Sequence, residues 1–432
     1  MNKVGIIVVA LLLSISLPLI ASGAKEAAKG PVKISYWHYQ PTPSRKEIET
    51  GNIAKFQELN PGITVEYIPV PWEQAHEKYI TSIAAKNAAD VMMVPDFWVA
   101  EFAAMGALEN LEPYIAKWEH RDDFVPLALA GARLYKNTAY WMPTDLMTSA
   151  LYYRIDWFNA AGIAKAPETW DEMLAAAKKL TDPGSNRYGF GMRGGRGGER
   201  YWLTWMLMRN NAKFFDDEGN CTLNQAGPVQ ALGWFADLYR KHKVTPPTAP
   251  TDVYKQMVGA FGSGITAMYI HNNGSMSDQL RDLGEGKFMT APLPKGPDGY
   301  RVSKNMPNGY AMSSQSKNKD AAWKYLGYLG GPIGNSYRES KVGTLPVNRK
   351  VYEEAWLKDN KYSKAFEVEL LGDPKYIFIF PAYLPEWGGL VETFLTPEYQ
   401  KVLLGEQSEQ DAANHIAAKF TDAQKKWMKT VK

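Results

Sequence analysis

Residues 33–94 read KISYWHYQPTPSRKEIETGNIAKFQELNPGITVEYIPVPWEQAHEKYITSIAAKNAADVMMV, and this stretch decides the fold. Lys33 to Trp37 alternates as a strand does, and a turn rich in Pro41, Pro43 and Ser44 leads into a helix carrying Ile48, Ile53, Phe56 and Leu59. Asn60-Pro61-Gly62 stops that helix, and Ile63 to Ile68 forms a second strand. Glu73 to Lys86 puts Tyr79, Ile80, Ile83 and Ala84 on one helical face, and Asp90 to Val94 is a short apolar third strand. Strand and helix alternate, which predicts a mostly parallel sheet covered on both faces. Such sheets bind ligands in the loops beyond the carboxyl ends of their strands. Those loops are Trp37-His38-Tyr39-Gln40 and Pro95-Asp96-Phe97-Trp98, each setting aromatics beside polar groups.

Towards the C-terminus the pattern resumes with a strand from Ala150 to Arg154. Thr169-Trp170-Asp171-Glu172 then fits a capping box, in which the Thr169 hydroxyl and Glu172 carboxylate satisfy orphan amides at a helix start. Trp170, Met173, Leu174 and Ala177 form the buried stripe of that helix, and Asp182-Pro183-Gly184 ends it. A helix from Gly227 to His242 and a strand from Ile265 to Ile270 follow, the latter opening into the polar loop His271-Asn272-Asn273-Gly274-Ser275-Met276.

Towards the N-terminus, Lys3 precedes an apolar run from Val4 to Ile20 and the small residues Ala21 to Ala24. Residues 1–24 read as a secretory signal peptide, too short and too interrupted for a spanning helix, so an exported, periplasmic or extracellular protein is expected. With 49 basic and 46 acidic residues the chain has no electrostatic footprint for nucleic acid. The single Cys221 allows no internal disulfide, so the fold rests on its core. At 432 residues the chain exceeds what one core organises, and two lobes are expected.

The element order resembles the bacterial extracellular solute-binding proteins of the sugar-binding family that serves ABC importers and includes the maltose-binding protein. The residues carrying the resemblance are Tyr152-Tyr153-Arg154, Phe158-Asn159-Ala160-Ala161-Gly162, Pro167 to Glu172, Ile265 to Ile270 and Pro307-Asn308-Gly309-Tyr310-Ala311-Met312. The resemblance implies an α/β, two-lobed periplasmic-binding-protein fold of type II, each lobe a mixed sheet flanked by helices, with ligand in the cleft. Mapped here, the chain is expected to cross between lobes near Thr144 to Thr148, Thr290 to Pro294 and Gly330-Gly331-Pro332. Lobe one is then 31–145 plus 293–330, and lobe two is 146–292 plus 331–432. The implied partners are a carbohydrate and the permease subunits of an ABC importer. The protein is expected to be a monomer with no enzymatic activity, cofactor or metal.

A sugar presents hydroxyls at its rim and C–H groups on its faces, so its site needs aromatic platforms and polar rim groups that are costly to leave unpaired. Trp37, Trp98, Trp202 and Trp387 lie beside turn signals rather than in clear amphipathic stripes, and are candidate platforms. Asp96 and Asp145 stand where strands end at the cleft, the alternative for each being a turn or helix cap. His38, Tyr39, Asn272, Asn273 and Glu386 are further candidate contacts. Asn308 joins them, because Asn308-Gly309 occupies the family's glycine-rich cleft turn. Gly191-Met192-Arg193-Gly194-Gly195-Arg196-Gly197-Gly198 matches neither standard phosphate-loop pattern and reads as a loop at the cleft mouth, with Arg193 facing ligand. The family's Gly-x-Trp step is here Gly274-Ser275-Met276, which hints at a ligand smaller than a long oligosaccharide. Two other readings stay open. One keeps the binding role with a polyol or sugar phosphate as ligand. The other is a secreted glycoside hydrolase using Asp145 and Glu386, for which the sequence supplies no carboxylate separation.

Overall fold

The computed structural model describes residues 30–39, 43–305 and 307–431. The expected export segment at 1–24, and Gln40 and Pro41 of the first loop, lie outside them. The chain opens with β1 (Val32–His38), α1 (Pro43–Leu59), β2 (Ile63–Pro69), α2 (Trp72–Ala84), β3 (Val91–Pro95) and α3 (Asp96–Ala104). The later strands are β4 (Met142–Pro143), β5 (Asp145–Leu146), β6 (Ser149–Arg154), β7 (Met268–Asn272) and β8 (Phe288–Ala291). They are followed by β9 (Ser303–Asn305), β10 (Asn308–Met312), β11 (Leu345–Pro346) and β12 (Ile377–Ile379).

Five strands form the first sheet in the order β2-β1-β3-β10-β4. β1 is parallel to β2 and β3, while β10 runs antiparallel between β3 and β4. Every residue of β3 is buried, as a Val- and Met-rich strand with both faces covered must be. The apolar face of α1 turns Ile48, Ile53 and Phe56 inward, but Leu59 is left 56% exposed at the helix end. Pro95-Asp96-Phe97-Trp98 is not a loop. Pro95 closes β3 and Asp96 begins α3 at once, so the helix N-terminus stands where a loop was expected.

The second sheet has the order β7-β6-β8, all antiparallel, and isolated parallel bridges at Tyr188–Thr266 and Gly191–Tyr269 make it mixed. β7 starts three residues later than expected and extends through Asn272. The capping box forms: the Thr169 hydroxyl accepts the Glu172 N–H at 3.2 Å, and the Glu172 carboxylate reaches back one residue further, to the Glu168 N–H at 2.7 Å. Trp170, Met173 and Ala177 are buried as predicted, with Leu174 only partly so.

Two small sheets stand where the chain passes between the large ones: β5 pairs antiparallel with β11, and β9 pairs parallel with β12. Near the first of the three expected crossings, β5 lies between β4 of one sheet and β6 of the other. Near the other two the hydrogen bonding keeps to one sheet. Residues 293–302 stay with the second sheet, where Leu293 N–H donates to Glu369 and Lys295 N–H to the Glu168 carbonyl, both at 2.8 Å. Past Gly330-Gly331-Pro332 the chain stays with the first sheet. The helix Pro332–Val342 packs on α1, Asn52 Nδ2 donates to the Gly334 carbonyl at 3.3 Å, and Val125 N–H donates to Val347 at 2.8 Å. Gly331 and Pro332 there cap and open a helix, a local role for the residue types that suggested a hinge. The chain rejoins the second sheet by Tyr362, whose carbonyl accepts from the Thr290 hydroxyl at 2.8 Å.

Candidate ligand-binding site

On the first-sheet side, a buried polar network runs beneath the strand ends. The Tyr39 hydroxyl donates to Asn308 Oδ1 at 2.5 Å, and the Asn308 backbone N–H and Nδ2 donate to the Asp145 carboxylate at 2.7 and 3.2 Å. Arg338 lies 3.3 Å from Asp145, 3.0 Å from Glu49 and 2.6 Å from Glu339. His38 Nε2 is 3.5 Å from Glu49. All of these side chains are buried, so the Arg338 guanidinium bonds three carboxylates, and Arg45 adds its field to all three. Burial pushes the Glu49 carboxyl up, but His38 and Arg338 overcome it and hold it at about 2. Burial dominates at Glu339 and raises it to about 7, so that carboxyl holds its proton more readily than its neighbours. Burial also lowers His38, against the opposing pull of Glu49.

Asp96, at the first turn of α3, belongs to the same edge. Burial raises it to about 7 against the opposing pull of Arg200. Arg200 comes from the other side, from the helix Glu199–Met208 that follows the glycine-rich segment, and its guanidinium sits 3.9 Å from the centre of the Phe97 ring. Charged and aromatic groups of the two halves thus meet across one cleft.

The second-sheet side is built from Arg193, Tyr201, Tyr254, His271 and Lys304. The Tyr201 ring lies 5.6 Å from His271, which lies 5.1 Å from Tyr254, and the Lys304 ammonium is 3.9 Å from the Tyr201 centre. Burial lowers His271 well below its ordinary value, and Arg193 and Lys304 add repulsion. Arg193 is tied to its own loop, donating from Nε and Nη2 to the Arg196 carbonyl at 2.9 and 2.5 Å.

The structure brings His38, Tyr39, Asp96, Asp145, Asn308 and Arg193 towards this cleft, the first five through mutual bonds or shared fields. It does not bring the others there as free groups. Trp98 stacks on Trp72 at 5.2 Å, Trp202 on Tyr399 at 4.9 Å, and Trp387 packs against Phe380 and Phe420 at 5.3 Å from each. Each is at most 1% exposed and is bound into a core. Trp37 packs likewise on Tyr79. Glu386 pairs with Lys426 of the last helix. Asn272 Oδ1 accepts the Gly274 N–H at 3.0 Å, and Asn273 Nδ2 donates to the Leu146 carbonyl at 3.0 Å, bracing the first crossing. Gly309 lies in β10 rather than a turn, and a side chain there would collide with Trp141. Cys221 is buried, and burial pushes its thiol up to about 12. Among the described residues no group of three or more metal-ligating side chains assembles, and no helix is long and apolar enough to cross a membrane.

Sequence reasoning missed Glu49, Arg338, Arg200, Tyr201 and Lys304. Glu49 and Arg338 sit on helices 289 residues apart in the chain, and nothing local marks them as a pair. The one available signal was Glu199-Arg200, charges opening a helix that is otherwise apolar through Met208.

Residues 42–335 match the bacterial extracellular solute-binding proteins, and the chain belongs to that family. It is therefore a solute-binding protein of the kind that ABC importers use. A binding protein of Brucella abortus strain 2308 is 28% identical over 419 residues, covering 96% of this chain and 97% of that one. The erythritol/L-threitol-binding protein of Mycolicibacterium smegmatis is 24% identical over 357 residues, covering 76% of this chain and 73% of its own. The maltose-bound MalE3 structure of T. maritima superposes with a TM-score of 0.81 at 26% identity, covering 90% of this chain and 99% of that chain. The two-lobed fold follows.

Proposed function

We propose that this chain captures a sugar or polyol in the cleft between its lobes, closes on it, and delivers it unaltered to the permease of an ABC importer. Lobe one comprises residues 31–143 and about 306–354, and lobe two the remainder of the mature chain. Residues 1–24 direct export, and the protein acts as a monomer outside the cytoplasm. The observation that carries the reading is the meeting of Asp96 and Phe97 on α3 with Arg200 on the helix Glu199–Met208. A solute held by one face completes its contacts only when the other arrives, so it stabilises the closed state by its differential affinity for that state. The relatives named for maltose and for erythritol or threitol support a polyhydroxylated ligand. Tyr39, Asp96, Asn308, Arg193 and Tyr201 are its proposed contacts, with Asp145 and Arg338 holding Tyr39 and Asn308 in place.

The test is a thermal-shift screen of protein stripped of ligand by unfolding and refolding, against sugars, polyols and their acidic derivatives. A ligand at about 100 times its dissociation constant adds about 2.7 kcal/mol, a shift of a few degrees. A selective shift with the ligand recovered intact is the expected result. A released product would install the hydrolase, and silence across the panel would remove the carbohydrate reading.

A further inference from the structure

Lys304 is the one buried lysine of the cleft, and its ammonium has no hydrogen-bond acceptor among the described residues. It stands on β9, where the chain crosses between the sheets, 3.9 Å from the centre of the Tyr201 ring and 6.0 Å from that of Phe380. Aromatic faces attract an ammonium but do not satisfy its three donors. Burial pushes the amine well below the ordinary lysine range, Arg200 and Arg193 add repulsion, and Glu199 is the one acid among the described residues that opposes them. Glu199 is already occupied: one oxygen accepts the Gly197 N–H at 2.7 Å and the Thr396 hydroxyl at 3.0 Å, and the other lies 4.0 Å from Arg200. His271 nearby, pushed well down by its burial, brings no negative charge in either form.

The same molecule shows how it treats a buried cation that is purely architectural, since Arg338 is given three carboxylates. Lys304 is given none. A lysine buried with no partner from its own chain gives up its proton readily and takes it back when an anion arrives beside it, so it marks a place for a ligand group. Resting on the carbohydrate reading above, we infer that the solute carries an anionic group, the carboxylate of a sugar acid or the phosphate of a sugar or polyol phosphate, seated on Lys304. Arg193 and Arg200 add attraction from the same face, and Tyr201 presents its ring as a shelf for the carbon skeleton. A neutral sugar of the same shape offers hydroxyl oxygens as acceptors but no opposing charge, so the site discriminates by charge.

The test is titration calorimetry on stripped full-length protein with matched triplets: glucose, glucuronate and glucose 6-phosphate; galactose, galacturonate and galactose 6-phosphate; mannitol, mannonate and mannitol 1-phosphate. An anionic member of at least one triplet binds at least 100-fold more tightly than its neutral parent, and the carboxylate and phosphate arms identify which anion it is. In Lys304→Met that preference falls to within about tenfold, while the unliganded melting temperature stays level or rises, because an apolar chain of similar length replaces a buried amine with no hydrogen-bond partner. Lys304→Arg keeps part of the preference. Preference for a neutral member, or an anionic preference that survives Lys304→Met, overturns the inference and leaves the carbohydrate function standing. Binding of no member in any triplet removes both.

Discussion

Two clusters of buried charge face each other in this protein, and they obey different rules. Beneath the first sheet, Arg338 is enclosed by Glu49, Asp145 and Glu339, with Asn308, Tyr39 and His38 taking up the remaining bonds. Across the cleft, Arg193, Arg200 and Lys304 gather around Glu199, which is already hydrogen-bonded to its own lobe, while Asp96 and Glu392 act on Arg200 but not on Lys304. The first cluster closes on itself and therefore fixes geometry. The second is left with unmet donors, which makes it the face where a ligand has something to add.

The contrast is broken most severely by Arg338→Ala. It strands three buried carboxylates, and a loss of about 3–5 kcal/mol in chemical denaturation is expected. A loss under about 1 kcal/mol would mean that the first cluster does not hold the fold. Trp202→Ala has a comparable cost of about 3–5 kcal/mol, from the cavity it opens against Tyr399. Ligand affinity per folded molecule should change less than threefold, and a larger change would restore Trp202 as a cleft platform.

A pH series sharpens the comparison from the first-sheet side. Burial raises Asp96 to about 7, above its unfolded value, so its contribution is fully present below about pH 4 and is lost as pH rises through 7. Asp96→Asn should remove on the order of 2 kcal/mol of that decline, since opening the cleft rehydrates the carboxylate. The measurement is the melting temperature of both proteins from pH 4 to 8. Glu369, which burial also raises to about 7, leaves a residual slope in the variant. The smallest effect belongs to Glu386→Gln, which breaks a pair with the largely exposed Lys426. Less than about 1 kcal/mol of stability and less than twofold in binding should be lost.

Much of the fold was legible because its signals are local. The alternation from Lys33 to Val94, the stop at Asn60-Pro61-Gly62 and the capping box at Thr169 each state a backbone preference within a few residues. The lobe crossings were less legible. Gly and Pro at 330–332 report only that a helix ends and another begins, and whether the next helix packs on the same sheet is decided by Asn52 and Tyr328 far away. The tryptophans misled for a related reason: Trp98, Trp202 and Trp387 flank turns in sequence, yet their partners Trp72, Tyr399 and Phe420 enclose them. Residue type was a fair guide to Asp145 and Asn308, but not to what they touch. Their hydrogen-bonding capacity goes largely to each other and to Arg338.

β10 lies between β3 and β4 in the first sheet, although the chain reaches it only after the whole second sheet has been laid down. An emerging chain therefore holds β1, β2 and β3 with one edge open until residues past 308 arrive. Long-range closure of that kind is slow. Completion of the first sheet thus depends on the last third of the chain, so a truncation before residue 308 leaves β3 without its neighbour.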